Sequence, residues 1–90
     1  MPRYRVIIHR KISKLLANLE EEKLKNRIIA TIEKLADYPL ALRELDVEKL
    51  EGIERTYRIR VGDYRIIFYV DKKEKTLYVT SVGRRESIYQ

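Results

Sequence analysis

The first part of the chain carries two hydrophobic patterns in succession. Residues 4–9, YRVIIH, alternate between two sets of side chains, which is typical of a strand. Beyond them, apolar residues recur at helical spacing, at Ile12, Leu15, Leu16 and Leu19. This spacing predicts a short helix over residues 11–18.

A second apolar stripe follows the polar segment EEEK. Its members are three or four positions apart: Leu24, Ile28, Ile32 and Leu35. They predict a longer helix that ends near Asp37 and Tyr38, because Pro39 has no N–H with which to continue it. Two helices joined by so short a segment are expected to form an antiparallel hairpin with one apolar side.

The second half of the chain is rich in strand patterns. Apolar positions at Leu40, Leu42 and Leu45 are expected to anchor a loop or a helical turn, and residues 47–50 are a candidate short strand. Three further strands are predicted over residues 56–61, 64–71 and 76–82. The predicted fold is therefore α+β, in the order β-α-α-β-β-β, with a small antiparallel sheet packed on the N-terminal helical hairpin. It forms a single domain over residues 1–90.

The Gly62-Asp63 pair fixes how two of these strands pair. A two-residue loop with glycine first favours a type II′ hairpin turn, and this turn places Arg60 opposite Arg65. Because side chains alternate along strands, one face is apolar and should pack on the helices; it carries Tyr57, Ile59, Val61, Tyr64, Ile66, Phe68, Val70, Leu77 and Val79. The other face carries Arg58, Arg60, Arg65, Ile67, Tyr69, Tyr78 and Thr80.

Like charges directly across a strand pair are destabilising, so the opposition of Arg60 and Arg65 calls for an explanation. Apart from Asp71 at the end of the second of these strands, they place no acidic residue on that face. A solvated sheet face is one interpretation, but it usually has mixed charge. We favour the other, a surface for phosphate on which Tyr69 and Tyr78 can stack on bases.

The amino-acid composition excludes several classes of function. The 20 Lys+Arg exceed the 14 Asp+Glu, giving a formal net charge of +6, which suits a polyanion or an acidic partner but also simple solubility. The absence of cysteine excludes disulfides, Cys-based metal sites and a thiol nucleophile. No apolar run approaches the ~20 residues of a membrane span, and the N-terminus does not resemble a signal peptide. A soluble cytoplasmic protein with no membrane partner is predicted.

No metal or other cofactor is expected. Acidic residues in the middle of the chain lack the spacing of metal ligands and are interpreted as solvated charges: Asp37, Asp46, Glu48, Glu51 and Glu54. The single histidine, His9, lies at the end of the first predicted strand and is expected to have no catalytic part.

The segments YRIRVGDYRIIFYV and LYVTSVGRRESIY resemble the RelE branch of the RelE/ParE toxin superfamily. The resemblance covers essentially the whole chain. It implies the toxin of a type II toxin–antitoxin pair: a metal-independent endonuclease that cuts mRNA in the A site of the 70S ribosome by attack of the ribose 2′-hydroxyl. It also implies an acidic, RelB-like antitoxin that holds the toxin inactive in a hetero-oligomeric complex.

The same resemblance implies three catalytic residues. Arg65 and Arg85 match the arginines that contact the reacting phosphate. Tyr89 matches a tyrosine that stacks on the codon and helps to activate the 2′-hydroxyl. Because nearby cations favour a phenolate, Tyr89 beside Arg85 is a candidate general base.

Further basic residues are candidates for binding RNA phosphate. The resemblance assigns this role to Arg58 and Arg60, which are lysines in some relatives. Arginine stays protonated at ordinary pH, so neither is expected to act as a base. Lys49 and Arg84 are predicted to extend the phosphate-binding surface.

Two other functions stay open at this point. One is a ParE-like inhibitor of DNA gyrase without nuclease activity, and the other is a basic module that only binds RNA or an acidic protein. An acidic antitoxin has two candidate docking areas, the arginine-bearing sheet face and the outer surface of the helices. The second area carries Lys11, Lys14, Lys25 and Arg27.

Overall fold

The computed structural model describes residues 3–84 and confirms the α+β class. Its elements are β1 (Arg5–Ile8), α1 (Arg10–Ala17), α2 (Glu22–Lys34), β2 (Val47–Lys49), β3 (Thr56–Val61), β4 (Tyr64–Asp71) and β5 (Thr76–Arg84). Two 3-10 segments, Leu35–Asp37 and Leu40–Glu44, connect α2 to β2. The candidate segment at 47–50 is therefore a strand, with the bounds Val47–Lys49, and of the apolar positions before it Leu40 and Leu42 lie in a helical turn that ends before Leu45.

The strands form one five-stranded sheet in the order β1-β5-β4-β3-β2. Three of its ladders are antiparallel, but β1 pairs with β5 in parallel. In this ladder the sheet differs from the predicted antiparallel arrangement. A parallel neighbour requires a crossover connection, and the chain supplies one between β1 and the remaining strands through α1 and α2.

One face of the sheet is covered by the helices and forms the core. The helical layer contributes Ile12, Leu16, Ile28, Ile32 and Leu35; the strands contribute Ile59, Val61, Ile66, Phe68, Val70, Leu77, Val79 and Val82. All are at most 8% exposed. The predicted apolar face is thus confirmed, with Tyr57 and Tyr64 half-buried at its margins.

His9 begins α1. Its backbone is extended, and its Nδ1 accepts a hydrogen bond from the backbone N–H of Lys11 at 3.0 Å. A side-chain acceptor at this position satisfies one of the amides that a helix start leaves without a partner. The single histidine of the chain therefore has a structural role at the junction of β1 and α1.

The β3–β4 hairpin has the predicted register. Arg60 lies opposite Arg65, Ile59 opposite Ile66 and Arg58 opposite Ile67. Gly62 has φ +58°, whereas Asp63 is not among the residues of positive φ, as a type II′ turn requires. The turn thereby sets which side chains face the helices and which face away.

Candidate nucleic-acid interface on the open face of the sheet

The face of the sheet opposite the helices, called the open face here, consists of cross-strand rows. Nearest the β3–β4 turn, the row is Gly83, Arg65 and Arg60. The next row is Ser81, Ile67, Arg58 and Glu48. The third contains Ile7, Tyr78 and Tyr69. Arg58, Arg60 and Arg65 therefore lie toward the turn end of the open face, and the two tyrosines lie farther from the turn.

Three guanidinium groups form an arginine cluster, defined as Arg58, Arg60 and Arg65. Arg65 is only 8% exposed. Its Nη1 donates to the carbonyl oxygens of Gly62 at 3.2 Å and Tyr64 at 3.1 Å, which ties the side chain to the hairpin turn. Within residues 3–84, Arg65 has no carboxylate partner.

The other two arginines of the cluster are paired with carboxylates in the edge strand β2 and immediately before it. Arg58 Nη2 lies 2.6 Å from Glu48 Oε1. Arg60 contacts Asp46 Oδ2 through both Nε, at 2.7 Å, and Nη2, at 2.6 Å. The interpretation of Asp46 and Glu48 as merely solvated charges is therefore wrong.

Sequence reasoning missed these pairs because it treated the open face as three strands. Once β2 pairs with β3, Glu48 falls directly opposite Arg58, and the backbone N–H of Arg60 donates to the Asp46 carbonyl oxygen at 2.9 Å. The available signal was the D-x-E spacing at 46–48, which places both carboxylates on one face of a strand.

Tyr69 and Tyr78 lie side by side on the face of the sheet that was predicted for them. The rings of Tyr69 and Tyr78 are 6.3 Å apart between centroids and tilted by 31°. Both residues are half-buried, and Ile7 beside them is 39% exposed. Aromatic surface is therefore within reach of a ligand that also contacts the arginine cluster.

Two predicted phosphate-binding residues lie on the helix side of the sheet. Lys49 pairs with Tyr57, whose ring stacks on Phe68 in the core. Arg84 pairs with Tyr64 and lines a cavity of about 290 Å³ beside α2 and the hairpin turn. The structure thus separates both from the arginine cluster, and their proposed binding role stays a prediction.

A β-bulge explains the position of Arg84. Ile67 pairs with Ser81 and the next residue, Phe68, pairs with Val79, so Thr80 is an extra residue in β5. Its hydroxyl donates to the Ile67 carbonyl oxygen at 3.3 Å. Strict alternation from Tyr78 would put Arg84 on the open face, but one inserted residue exchanges the faces beyond it.

Arg85 and Tyr89, the other two predicted catalytic residues, lie outside the described residues. Among the predicted site residues that lie within 3–84, the structure brings together Arg58, Arg60 and Arg65. The catalytic roles of Arg65, Arg85 and Tyr89 stay predictions.

A tyrosine cluster lies on the helix side of the sheet, away from the arginine cluster. The rings of Tyr4 and Tyr38 meet edge to face, with centroids 4.9 Å apart. Burial raises the pKa of Tyr38 to about 12, and the neighbouring Tyr57, which also hydrogen-bonds to it, and Tyr4 act in the same direction. Tyr38 is therefore a neutral phenol at ordinary pH.

Two negative findings apply to residues 3–84. They contain no group of three or more histidine or acidic side chains placed to hold a metal ion. They also contain no helix with the length and hydrophobicity needed to cross a membrane.

Comparison with known proteins places this architecture in a family. The sequence model described as ParE toxin of type II toxin–antitoxin system, parDE, matches residues 6–89. The chain belongs to this toxin family, within the RelE/ParE superfamily.

Individual relatives carry RelE names. A curated protein of Methanocaldococcus jannaschii that bears the toxin name RelE1 is 28% identical over 88 residues, which cover 98% of this chain and 97% of that protein. The crystal structure of the archaeal RelE-RelB complex from Pyrococcus horikoshii OT3 matches with a TM-score of 0.77 and 34% identity, covering 94% of this chain and 97% of the other.

The RelB-RelE antitoxin–toxin complex from Methanococcus jannaschii matches with a TM-score of 0.75 and 30% identity, over 93% of this chain and 95% of the other. A free RelE mutant from E. coli has a TM-score of 0.71 at 20% identity, over 94% and 86% of the two chains, which is evidence for the fold alone. The chain is a type II toxin with the RelE fold.

Proposed function

We propose that this toxin is a ribosome-dependent, metal-independent endonuclease that cuts mRNA in the ribosomal A site. The observation that carries the proposal is the arginine cluster, in which two adjacent strands place three guanidinium groups on the open face. Guanidinium groups match phosphate oxygens bidentately, and the tyrosines beside the cluster suit stacking on bases. The RelE names of the similar proteins support the same interpretation.

The proposed reaction uses the RNA's own 2′-hydroxyl. The 2′-oxygen bonds to the adjacent phosphorus and the bond from phosphorus to the 5′-oxygen breaks, leaving a 2′,3′-cyclic phosphate and a 5′-hydroxyl. One proton leaves the 2′-hydroxyl and one is taken up by the departing 5′-oxygen. Negative charge grows on the phosphate oxygens in between, and preorganised cations stabilise that charge best.

Arg65 is the first candidate for this stabilisation. Its Nη1 is fixed by two carbonyl oxygens of the turn, so Nη2 and Nε are left to meet a phosphate in a defined orientation. Arg58 and Arg60 would hold the neighbouring backbone. Arg85 is proposed as the second contact to the reacting phosphate, with Tyr89 stacking on the codon and accepting the 2′-hydroxyl proton.

The test is single-turnover cleavage of mRNA on 70S ribosomes with a vacant A site. Arg65→Lys keeps the charge but loses the planar fork, and we expect roughly a 10²- to 10³-fold loss of rate. Glu33→Gln, an exposed change on α2, is the control and should cut like wild type. Equal cutting by a well-folded Arg65→Lys variant, or equal cutting of the same RNA without ribosomes, would contradict the proposal.

An acidic, RelB-like antitoxin is the proposed partner, because similar proteins were crystallised as RelE–RelB complexes. An acidic segment that folds on binding would complement the arginine cluster. The complex is expected in the cytoplasm, where ribosomes work. Hydrogen exchange with a co-expressed antitoxin would show whether protection falls on the open face or on the outer helix surface.

Inhibition of DNA gyrase is the second candidate function, favoured by the ParE description of the matching family. It requires contact with gyrase rather than with phosphate. A supercoiling assay with wild type and Arg65→Lys separates the two. Inhibition that is unaffected by the substitution, together with no cutting on ribosomes, would favour gyrase.

A further inference from the structure

The edge strand β2 and the residue before it bring two carboxylates onto the surface proposed to bind RNA. Asp46 and Glu48 contact two members of the arginine cluster at 2.6 Å. Over the cluster and these two partners, three positive charges and two negative charges leave one net positive charge. The open face is therefore much less cationic than its arginines alone would make it.

The geometry of the Arg60 pair shows which part of the guanidinium is occupied. Both Nε and Nη2 contact the same carboxylate oxygen. These two nitrogens form one of the edges through which an arginine binds a phosphate bidentately. Asp46 thus occupies a position that an RNA phosphate would take.

Both carboxylates are accessible enough to be displaced. The side chains of Asp46 and Glu48 are 56% and 64% exposed, and that of Arg60 is 62% exposed. Exposed ion pairs are weak because water solvates both partners. Arg58 differs from Arg60, since its side chain is only 16% exposed. Glu48 is therefore the exposed partner of a largely buried cation.

We propose that Asp46 and Glu48 are specificity-determining residues that compete with RNA phosphate for the arginine cluster. A flexible RNA in solution must displace them while losing its own freedom, and so it binds weakly. An RNA already held in a fixed geometry loses less freedom and displaces them more readily. The part of this proposal that concerns ribosome-held RNA rests on the proposed function; the competition itself does not.

The experiment measures binding of a fluorescein-labelled uridine dodecamer by anisotropy at several salt concentrations. The test variant is Asp46→Asn/Glu48→Gln, which removes both charges with little change of shape. Glu20→Gln/Glu33→Gln is the matched control, because it raises the formal net charge by the same amount at exposed positions outside the sheet. Asp46→Glu/Glu48→Asp keeps both charges and tests for a merely structural effect.

We expect the test variant to bind the dodecamer roughly five- to tenfold more tightly at low salt. The slope of log affinity against log salt should steepen by about 0.7 for each additional RNA phosphate that the protein neutralises. The matched control and the charge-retaining variant should stay within about twofold of wild type.

A test variant that binds no more tightly than the matched control would overturn the proposal, and so would weaker binding, which would make the carboxylates supports for RNA binding. Cleavage on ribosomes is scored separately. If wild type cuts no mRNA while the test variant still binds the dodecamer more tightly, the proposed function fails and the competition stands. If wild type cuts mRNA on ribosomes but the test variant binds the dodecamer no more tightly than wild type does, the proposed function stands and the competition fails.

Discussion

The two faces of the sheet use neighbouring residues of the same strands for opposite purposes. Phe68 is fully buried against the helices, whereas Tyr69, the next residue, lies on the open face in contact with Tyr78. On the core face, the helices bury the central apolar side chains, and the residues at its margins are half-buried. On the open face, the two tyrosine rings are half-exposed, and the carboxylates of Asp46 and Glu48 neutralise only part of the arginine charge.

This difference separates stability from binding at the level of single residues. A change on the core face should unfold the protein, while a change on the open face should leave the fold intact and alter what binds. The contrast is least sharp at Arg65, which is buried and tied to the turn although it belongs to the open face.

The largest expected effect comes from adjacent residues on opposite faces. Phe68→Ala should lower the free energy of unfolding by about 3–5 kcal/mol, because it leaves a large cavity in the core. Tyr69→Ala should lower it by no more than about 1 kcal/mol, since its ring is only half-buried and lies beside that of Tyr78. Urea denaturation of both variants checks this, and similar losses would show that the open face also carries the fold.

A smaller effect is expected at the turn that determines which residues face the core. Gly62→Ala should lower the free energy of unfolding by about 1–2 kcal/mol, because the φ of +58° at this position is unfavourable for a residue with a Cβ atom. An added Cβ would otherwise meet only ordinary contacts, at 3.8 Å. Gly83→Ala, where a Cβ meets nothing within 4 Å, is the control and should be nearly neutral. Thermal unfolding of both variants measures the difference. Equal losses of stability would show that the backbone conformation at Gly62 is not what the turn requires.

The smallest effect concerns a polar group on the helix side. The pKa of Tyr38 is raised to about 12, above the ordinary value near 10, so the folded state holds this proton more tightly than the unfolded state. The contribution of the Tyr38 phenol to the free energy of unfolding is fully present below pH 10 and is lost as the pH rises through 12.

Chemical denaturation between pH 9 and 12 should therefore show a decline that is shallower in Tyr38→Phe. Alkaline absorbance titration should show one late-titrating phenol in wild type that the variant lacks. An identical decline in both proteins would contradict the assignment of this pKa shift to Tyr38.

The core face could be predicted from the sequence because apolar alternation and the Gly62-Asp63 turn are local signals. The pairing of Arg60 with Arg65 follows from the turn alone. The carboxylate partners could not be predicted in the same way, because they depend on β2, a strand of three residues whose position is decided by pairing with β3. The position of Arg84 depends on the bulge at Thr80, which alternation cannot reveal.

The parallel ladder between β1 and β5 makes the order of synthesis differ from the order of pairing. β1 is the first strand to be made, yet its neighbour in the sheet is the last of the five. Until β5 has emerged, β1 has no strand to pair with and the helices have only part of a sheet to cover. Contacts between such distant segments form late because a long loop must close first. A nascent chain should therefore acquire its complete open face only after the ribosome that makes it has released β5.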